Sequence, residues 1–412
     1  MAVNETFVII GASLAGALAA QTLREEGFSG RVVLIGAEPN RPYERPPLSK
    51  GYLLGTSPRD EVFVHPQDWY PEHDVELRLG TTVEALDRGA GEVVLAGGER
   101  VGYDRVLLAT GAVPRRLDVP GAAGFGVQYL RRIEDADRIR ASFARASRVV
   151  IVGAGWIGLE TAAAARAAGL EVTVLEAAEL PLLRVLGPEV AQVFARLHRA
   201  HGVDLRVGVQ VAAVTGTDAD GVAAPTGVEL DDGTRIPADL VLVGVGITPA
   251  AALAAGAGLD VTNGVRVDEH LRTADPAVFA AGDVANAFHS TLGRHIRVEH
   301  WENARRQGAT AARSMLGQDA VFDRLPYFFS DQYDLGMEYV GYVEPGGYDQ
   351  VVLRGDVDRL EFIACWLADG RVLAGMTVNV WDVVGQLENL IGRARPVDPL
   401  LLANPAVPLT DL

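Results

Sequence analysis

The sequence predicts an α/β protein, two Rossmann-like dinucleotide-binding domains plus a C-terminal α+β domain, on three observations. A glycine turn between an apolar strand and a helix occurs at Gly11 to Gly16 and again at Gly153 to Gly158, each time with an acid closing the next strand. From about Leu325 the pattern changes to the period-two alternation of antiparallel strands. A chain of 412 residues with 49% hydrophobic composition is long and apolar enough for several buried cores. The expected divisions are 1–112 with 246–324 for a discontinuous first nucleotide domain, 113–245 for a second, and 325–412 for the last.

Taken in order, Thr6 to Ile10 is a short apolar run that meets Gly11-Ala12-Ser13-Leu14-Ala15-Gly16. Ala17 to Glu26 has helical composition, Arg31 to Ile35 is the next strand, and Glu38 follows as the acid. Ser13 occupies the middle glycine position with a side chain small enough for close backbone approach. The second unit is complete: strand Arg148 to Val152, Gly153-Ala154-Gly155-Trp156-Ile157-Gly158, helix Leu159 to Ala168, strand Glu171 to Leu175, then Glu176. In such units the helix N-terminus aims free N–H groups at a pyrophosphate, and the terminal carboxylate takes ribose hydroxyls. Glu176 would repel a 2′-phosphate and Ala177 and Ala178 offer no cation to bind one, so NADH is favoured over NADPH. Arg184 is the nearby basic residue that could weaken this preference.

Val106 to Gly111 and Leu240 to Gly246 read as buried strands ending in small residues, and Val278 to Asp283 as a strand whose Gly-Asp end could hydrogen-bond a polyol. The uncharged run Leu240 to Leu259 is rich in Gly and Ala and contains Pro249, which favours strand, turn and small helix over a membrane span. An exposed hairpin tip is expected around Asp218 to Pro225. Antiparallel strands are expected at Gly336 to Tyr342, Gln350 to Arg354, Leu360 to Leu367 and Val372 to Val378, then a helix from Trp381 to Ile391 and a proline-punctuated tail.

Composition narrows the function. A formal net charge of −17 argues against nucleic acid or an anionic membrane as partner. The single cysteine, Cys365, excludes an intramolecular disulfide and any Cys-x-x-Cys pair, and with the lack of a basic, apolar leader it fits a cytoplasmic protein. The eight histidines show no metal spacing, and no metal is expected. Lys50, in Arg45-Pro46-Pro47-Leu48-Ser49-Lys50, is the one lysine among 37 basic residues, which marks a position that wants a compact ammonium.

These motifs, with Ala109-Thr110-Gly111, Gly282-Asp283, Glu299-His300-Trp301-Glu302-Asn303-Ala304 and Ser330-Asp331-Gln332, make the chain resemble, over essentially its whole length, the FAD-dependent NADH:ferredoxin reductases of bacterial cytochrome P450 and ring-hydroxylating dioxygenase systems. The resemblance implies that 1–112 with 246–324 binds FAD and 113–245 binds NADH. It implies FAD contacts from Gly11, Ser13, Leu14, Ala15, Gly16, Glu38, Arg45, Val83, Ala109, Thr110, Gly111, Arg131, Gly282 and Asp283. Lys50 would lie beside the flavin N5 edge paired with Glu160, the two forming the catalytic pair, while Trp301 and the helix starting near Asn303 would cover the pyrimidine end, with Glu299 and His300 also among the cofactor contacts. Gly153, Gly155, Ile157, Gly158, Glu176 and Gly246 would hold NADH, with Arg184 and Phe329 at the edge of that pocket. Relatives often have tryptophan where Tyr327 and Phe329 stand, which leaves the electron acceptor open. The implied acceptor is a [2Fe-2S] ferredoxin feeding a P450 or dioxygenase, approached through arginines such as Arg294, Arg297, Arg305, Arg306, Arg313, Arg393 and Arg395. Rubredoxin, a quinone or oxygen is the alternative acceptor, and a flavin-bound redox sensor resembling apoptosis-inducing-factor-like proteins is the alternative class.

Overall fold

The computed structural model describes residues 5–219 and 222–412. It separates into two compact units, one formed by the chain up to Arg45 with Arg59–Val113 and Ile247–Pro326, the other by Pro46–Pro58, Pro114–Gly246 and Tyr327–Leu412. The short segment Pro46–Pro58, which carries Lys50, thus belongs to the second unit.

The first unit is organised on a five-stranded parallel sheet in the order Val278–Ala280, Arg105–Leu108, Thr6–Ile10, Arg31–Ile35, Val75–Arg78. β-Branched runs form strands here because both faces are covered: Val8, Ile9, Val33, Leu34, Val106 and Leu107 have no exposed surface. The chain leaves Thr6–Ile10 toward one neighbour through Leu14–Glu25 and returns on the other side as Arg105–Leu108, so the order of strands reverses beside the first strand. In open α/β sheets a ligand crevice forms at the carboxyl ends of strands at that point. An antiparallel sheet of Val83–Asp87, Glu92–Leu95 and Arg100–Gly102, which the sequence pattern did not announce, lies between the third and fourth strands in the chain.

The second unit repeats the plan with Asp204–Val207, Glu171–Glu176, Arg148–Val152, Leu240–Val243 and Gln128–Tyr129, again all parallel. Its strand reversal falls between Arg148–Val152 and Leu240–Val243. The hairpin Val211–Ala219 and Val222–Leu230 is present; of the tip expected around Asp218 to Pro225, Asp220 and Gly221 lie outside the described residues and the rest belongs to the two strands.

The C-terminal part is a five-stranded antiparallel sheet in the order Tyr327–Gln332, Leu335–Gly341, Arg371–Val378, Glu361–Ala368, Gln350–Asp356. The helix expected from Trp381 begins instead at Val384 and runs to Arg393. Asp382 adopts φ 63°, a left-handed conformation no α-helix admits, so Trp381 stays outside the helix and 53% exposed. Leu387, with no exposed surface, packs so closely on the sheet that a Cβ added at Gly375 would lie 2.9 Å from its methyl carbons. Leu387→Ala is expected to lower unfolding stability by about 2–5 kcal/mol, measured as a shift of the urea midpoint at unchanged slope. Among the described residues no helix is long and apolar enough to cross a membrane.

Candidate active site

The first glycine turn is shaped by two close backbone approaches. Gly11 has φ 119° and donates its amide to the Ile35 carbonyl at 2.8 Å; a Cβ there would lie 2.1 Å from the Ala109 carbonyl oxygen. A Cβ on Gly16 would lie 2.0 Å from the Gly11 oxygen. Ser13 stands at the N-cap of Leu14–Glu25 without capping it by its side chain, and no acid occupies the first turn. The first amides, Leu14 and Ala15 among them, are therefore suited to an anion.

Around this turn the other expected residues of the first unit divide by what they touch. Glu38 accepts from the Tyr43 hydroxyl and pairs with Arg45 at 3.0 Å, and Arg45 also donates to Tyr43 at 3.2 Å. Burial opposes the Arg45 charge, but Tyr43, Glu38 and Asp283 outweigh it and raise its pKa. The Thr110 hydroxyl is engaged structurally, donating to the Ala250 carbonyl at 2.8 Å, and Gly111 accepts from the Ala250 amide at 2.9 Å. Gly282, at φ 79°, donates to the buried Gln307 side chain at 2.8 Å, and a Cβ there would lie 3.3 Å from that of Ala15. The Asp283 carbonyl accepts from Arg297, which also pairs with Glu299. Burial pulls the His300 pKa down to about 4 against the charge of Asp283. The Glu44 carboxyl is pushed up by burial, with hydrogen bonding from Trp301 opposing. Val83, half-buried, opens the strand Val83–Asp87.

The second turn repeats the logic with one difference. A Cβ on Gly153 (φ 100°) would lie 2.5 Å from the Gly244 oxygen, and one on Gly158 2.0 Å from the Gly153 oxygen. At Gly155, the N-cap of Trp156–Ala167, a Cβ would meet nothing within 4 Å. Gly155 therefore answers to no neighbour in the fold and leaves open space over the helix N-terminus, which again lacks an acid in its first turn. Ile157 is 44% exposed beside it. The Glu176 carboxylate is fixed by the amides of Ala154 at 2.7 Å and Ala178 at 2.9 Å. Arg184 is exposed on the first turn of Leu183–Ala200, and Gly246 has φ 100° at the end of the segment after Leu240–Val243. Arg131 gives its amide to Asp135 at 3.0 Å and, like Lys50, is in the second unit, whereas the other expected FAD residues belong to the first.

Lys50 is set in place by the prolines before it and the aromatic after it. Pro46–Ser49 is a 3₁₀ turn, Leu48, Ser49, Tyr52 and Leu53 are buried, and the Tyr52 hydroxyl donates to Asp137 at 2.6 Å. The ammonium pairs with Glu160 at 2.8 Å, and lies 5.6 Å from the centre of the Phe329 ring. Glu160 is only 5% exposed, on the second turn of the glycine-turn helix, and also accepts from Ser49 at 2.5 Å and Ser330 at 2.7 Å. The Asp331 carboxyl is pushed up by burial and by Glu160, against the pull of Lys50. Ser49, Gln332 and His198 were not singled out one by one by the sequence reading; the Ser-Asp-Gln run was the available signal, but its partners lie far away in the chain.

Residues 5–308 match the family described as pyridine nucleotide-disulphide oxidoreductase. The chain belongs to that family. Residues 327–412 match the reductase C-terminal family. This pyridine nucleotide-disulphide oxidoreductase is 40% identical to putidaredoxin reductase of Pseudomonas putida, over 100% of this chain and 97% of that protein. It is 41% identical to the ferredoxin–NAD(+) reductase component of the anthranilate 1,2-dioxygenase system of Burkholderia cepacia, over 98% of each. A solved structure of the covalent putidaredoxin reductase–putidaredoxin complex matches with TM-score 0.94 and 38% identity, covering 99% of this chain and 98% of the other.

Within this family the chain's sole cysteine is in an unreactive place. Cys365 lies in the strand Glu361–Ala368, 1% exposed, and burial pushes its thiol pKa up to about 12. The arginines expected to meet an acidic partner are largely engaged within the fold: Arg297 with Glu299, Arg305 and Arg306 with Glu302, Arg313 with Glu26, and Arg393 with the Leu412 carbonyl.

Proposed function

We propose that this oxidoreductase carries FAD, takes a hydride from NADH and passes electrons singly to a small [2Fe-2S] ferredoxin that serves a P450 or dioxygenase. One observation carries the exclusion of a disulfide relay. A disulfide relay needs two reactive thiols, and this chain has one cysteine, buried with a raised pKa. Electrons therefore leave without a protein disulfide, and the relatives named for putidaredoxin and ferredoxin support a ferredoxin as the acceptor. A cytoplasmic location belongs to the same reading.

FAD, when bound, supplies the redox chemistry, accepting electrons as hydride and releasing them one at a time. The protein's share is binding and electrostatics. In this reading Gly11, Ser13, Leu14, Ala15 and Gly16 take the FAD pyrophosphate, with Asp283 on its polyol, and the uncapped helix start supports it. Gly153, Gly155 and Gly158 take the pyrophosphate of NADH; the open space at Gly155 supports that. Lys50, held by Glu160, presents an ammonium able to oppose negative charge gained by a neighbouring cofactor. Glu176, already oriented by two amides, excludes a 2′-phosphate. Glu176→Ala is expected to reduce the NADH over NADPH preference in kcat/KM about tenfold or more; native enzyme that uses both equally would contradict the role.

The deciding experiment is flavin absorbance of the purified chain followed by cytochrome c reduction with NADH, with and without added [2Fe-2S] ferredoxin. Fast reduction only with ferredoxin is expected. Equal rates without it, preferential reduction of rubredoxin, or a chain that binds no flavin would overturn the proposal.

A further inference from the structure

The Lys50–Glu160 pair is sealed on one side and open on the other: the Lys50 side chain retains 18% exposure and that of Glu160 only 5%. Behind Glu160 runs a series of buried polar groups. Ser330, Gln332 and His198 are 1%, 1% and 0% exposed, and the contacts are Ser330 Oγ to Glu160 at 2.7 Å, Gln332 Nε2 to Ser330 Oγ at 3.1 Å, Gln332 Oε1 to His198 Nε2 at 2.8 Å, and His198 Nδ1 to the Tyr333 hydroxyl at 3.3 Å. The carboxylate at the end dictates the directions as far as His198. An ionised Glu160 only accepts, so Ser330 donates to it; the Ser330 oxygen then accepts from the Gln332 amide nitrogen. This turns the Gln332 oxygen toward His198, which must carry a proton on Nε2. Burial pulls the His198 pKa down to about 4, so the imidazole is neutral and Nδ1 is left to accept from Tyr333.

We propose that Ser49, Ser330 and Gln332, with His198 behind them, are positioning residues that fix the Glu160 carboxylate as counter-ion of Lys50, through a hydrogen-bond series whose every donor points toward Glu160. Ser49 holds Oε2, while Ser330 and Lys50 share Oε1, so the carboxylate cannot rotate without losing a bond. A buried charge pair alone stabilises a fold no better than well-packed apolar side chains. What the series adds is orientation, with the ammonium held against the carboxylate at the accessible face. The charged and aromatic groups facing Lys50 include Glu160, Asp331 and Phe329. The inference rests on the proposed function only for the use made of the pair; the pair itself can be read without turnover.

Because Lys50 is the sole lysine, its acylation by acetic anhydride in the purified full-length chain is read from loss of tryptic cleavage after residue 50, without NADH or acceptor. Acylation requires the neutral amine, so a well-ordered ion pair suppresses it. Ser330→Ala, which removes one hydrogen bond to the charged carboxylate, is expected to raise the rate near neutral pH about tenfold. Ser49→Ala should act in the same direction, Gln332→Met to a smaller extent, and Glu160→Gln should set the upper limit. Nitrogen-15 NMR of wild type should report His198 protonated on Nε2. Unchanged or slower acylation in Ser330→Ala and Ser49→Ala, no acceleration in Glu160→Gln, or an Nδ1-protonated His198 would each overturn the assignment. A chain purified without flavin would sink the proposed function and leave these acylation rates readable.

Discussion

Lys50→Met is expected to slow the NADH-driven loss of flavin absorbance about 10²–10³-fold, the usual cost of removing a preorganised electrostatic stabiliser. Methionine keeps the length and most of the volume of the lysine stem but cannot carry its charge. The variant should still bind FAD, since Arg45, Glu38 and the first glycine turn belong to the other unit. Stopped-flow absorbance separates the two effects: flavin content reports binding and the rate at saturating NADH reports the chemical step. Stability will move less simply, because Met leaves Glu160 without its cation in a site only 5% exposed. Ser49 and Ser330 still donate to that carboxylate, which limits the loss. A reduction rate equal to that of the native enzyme would remove Lys50 from the mechanism.

The second large effect is at the glycine turn Gly153 to Gly158, proposed to hold NADH. Gly158→Ala places a methyl 2.0 Å from the Gly153 oxygen, a distance that only backbone movement can relieve. Movement of about 1 Å at a ligand-positioning turn costs about 10²-fold, so NADH affinity should fall by that factor or more, and the melting temperature with it. Gly155→Ala is the informative companion, since its methyl meets no protein atom within 4 Å. It should leave the melting temperature unchanged and still weaken NADH, because the only thing it can strike is the ligand. Titration of NAD+ against both variants, beside their thermal melts, tests the pair. Full NAD+ affinity in Gly155→Ala would show that the nucleotide does not approach this turn.

Several features were legible from sequence because they are local. The strands Thr6–Ile10, Arg31–Ile35 and Arg148–Val152 have the expected limits, since a β-branched run stopped by glycine needs no distant information. The burial of Cys365 followed from its place in the middle of a strand, in the continuous apolar run Phe362 to Leu367, all of it buried. The helix placed at Trp381 was misjudged because its amphipathic spacing continues backwards through Asp382, and only the left-handed backbone there stops it.

The sequence by itself determined the two parallel nucleotide folds, the change to an antiparallel C-terminal sheet, and the restriction to chemistry without a protein disulfide. All of these rest on periodicity, glycine placement or a residue count, properties carried by neighbouring positions. Only the tertiary structure decided what surrounds Glu160. Its hydrogen-bond donors Ser49 and Ser330 are 111 and 170 positions away, and His198 meets Gln332 across 134. A hydrogen bond requires a distance and a direction in space, and no spacing along the chain encodes either once the partners are that far apart.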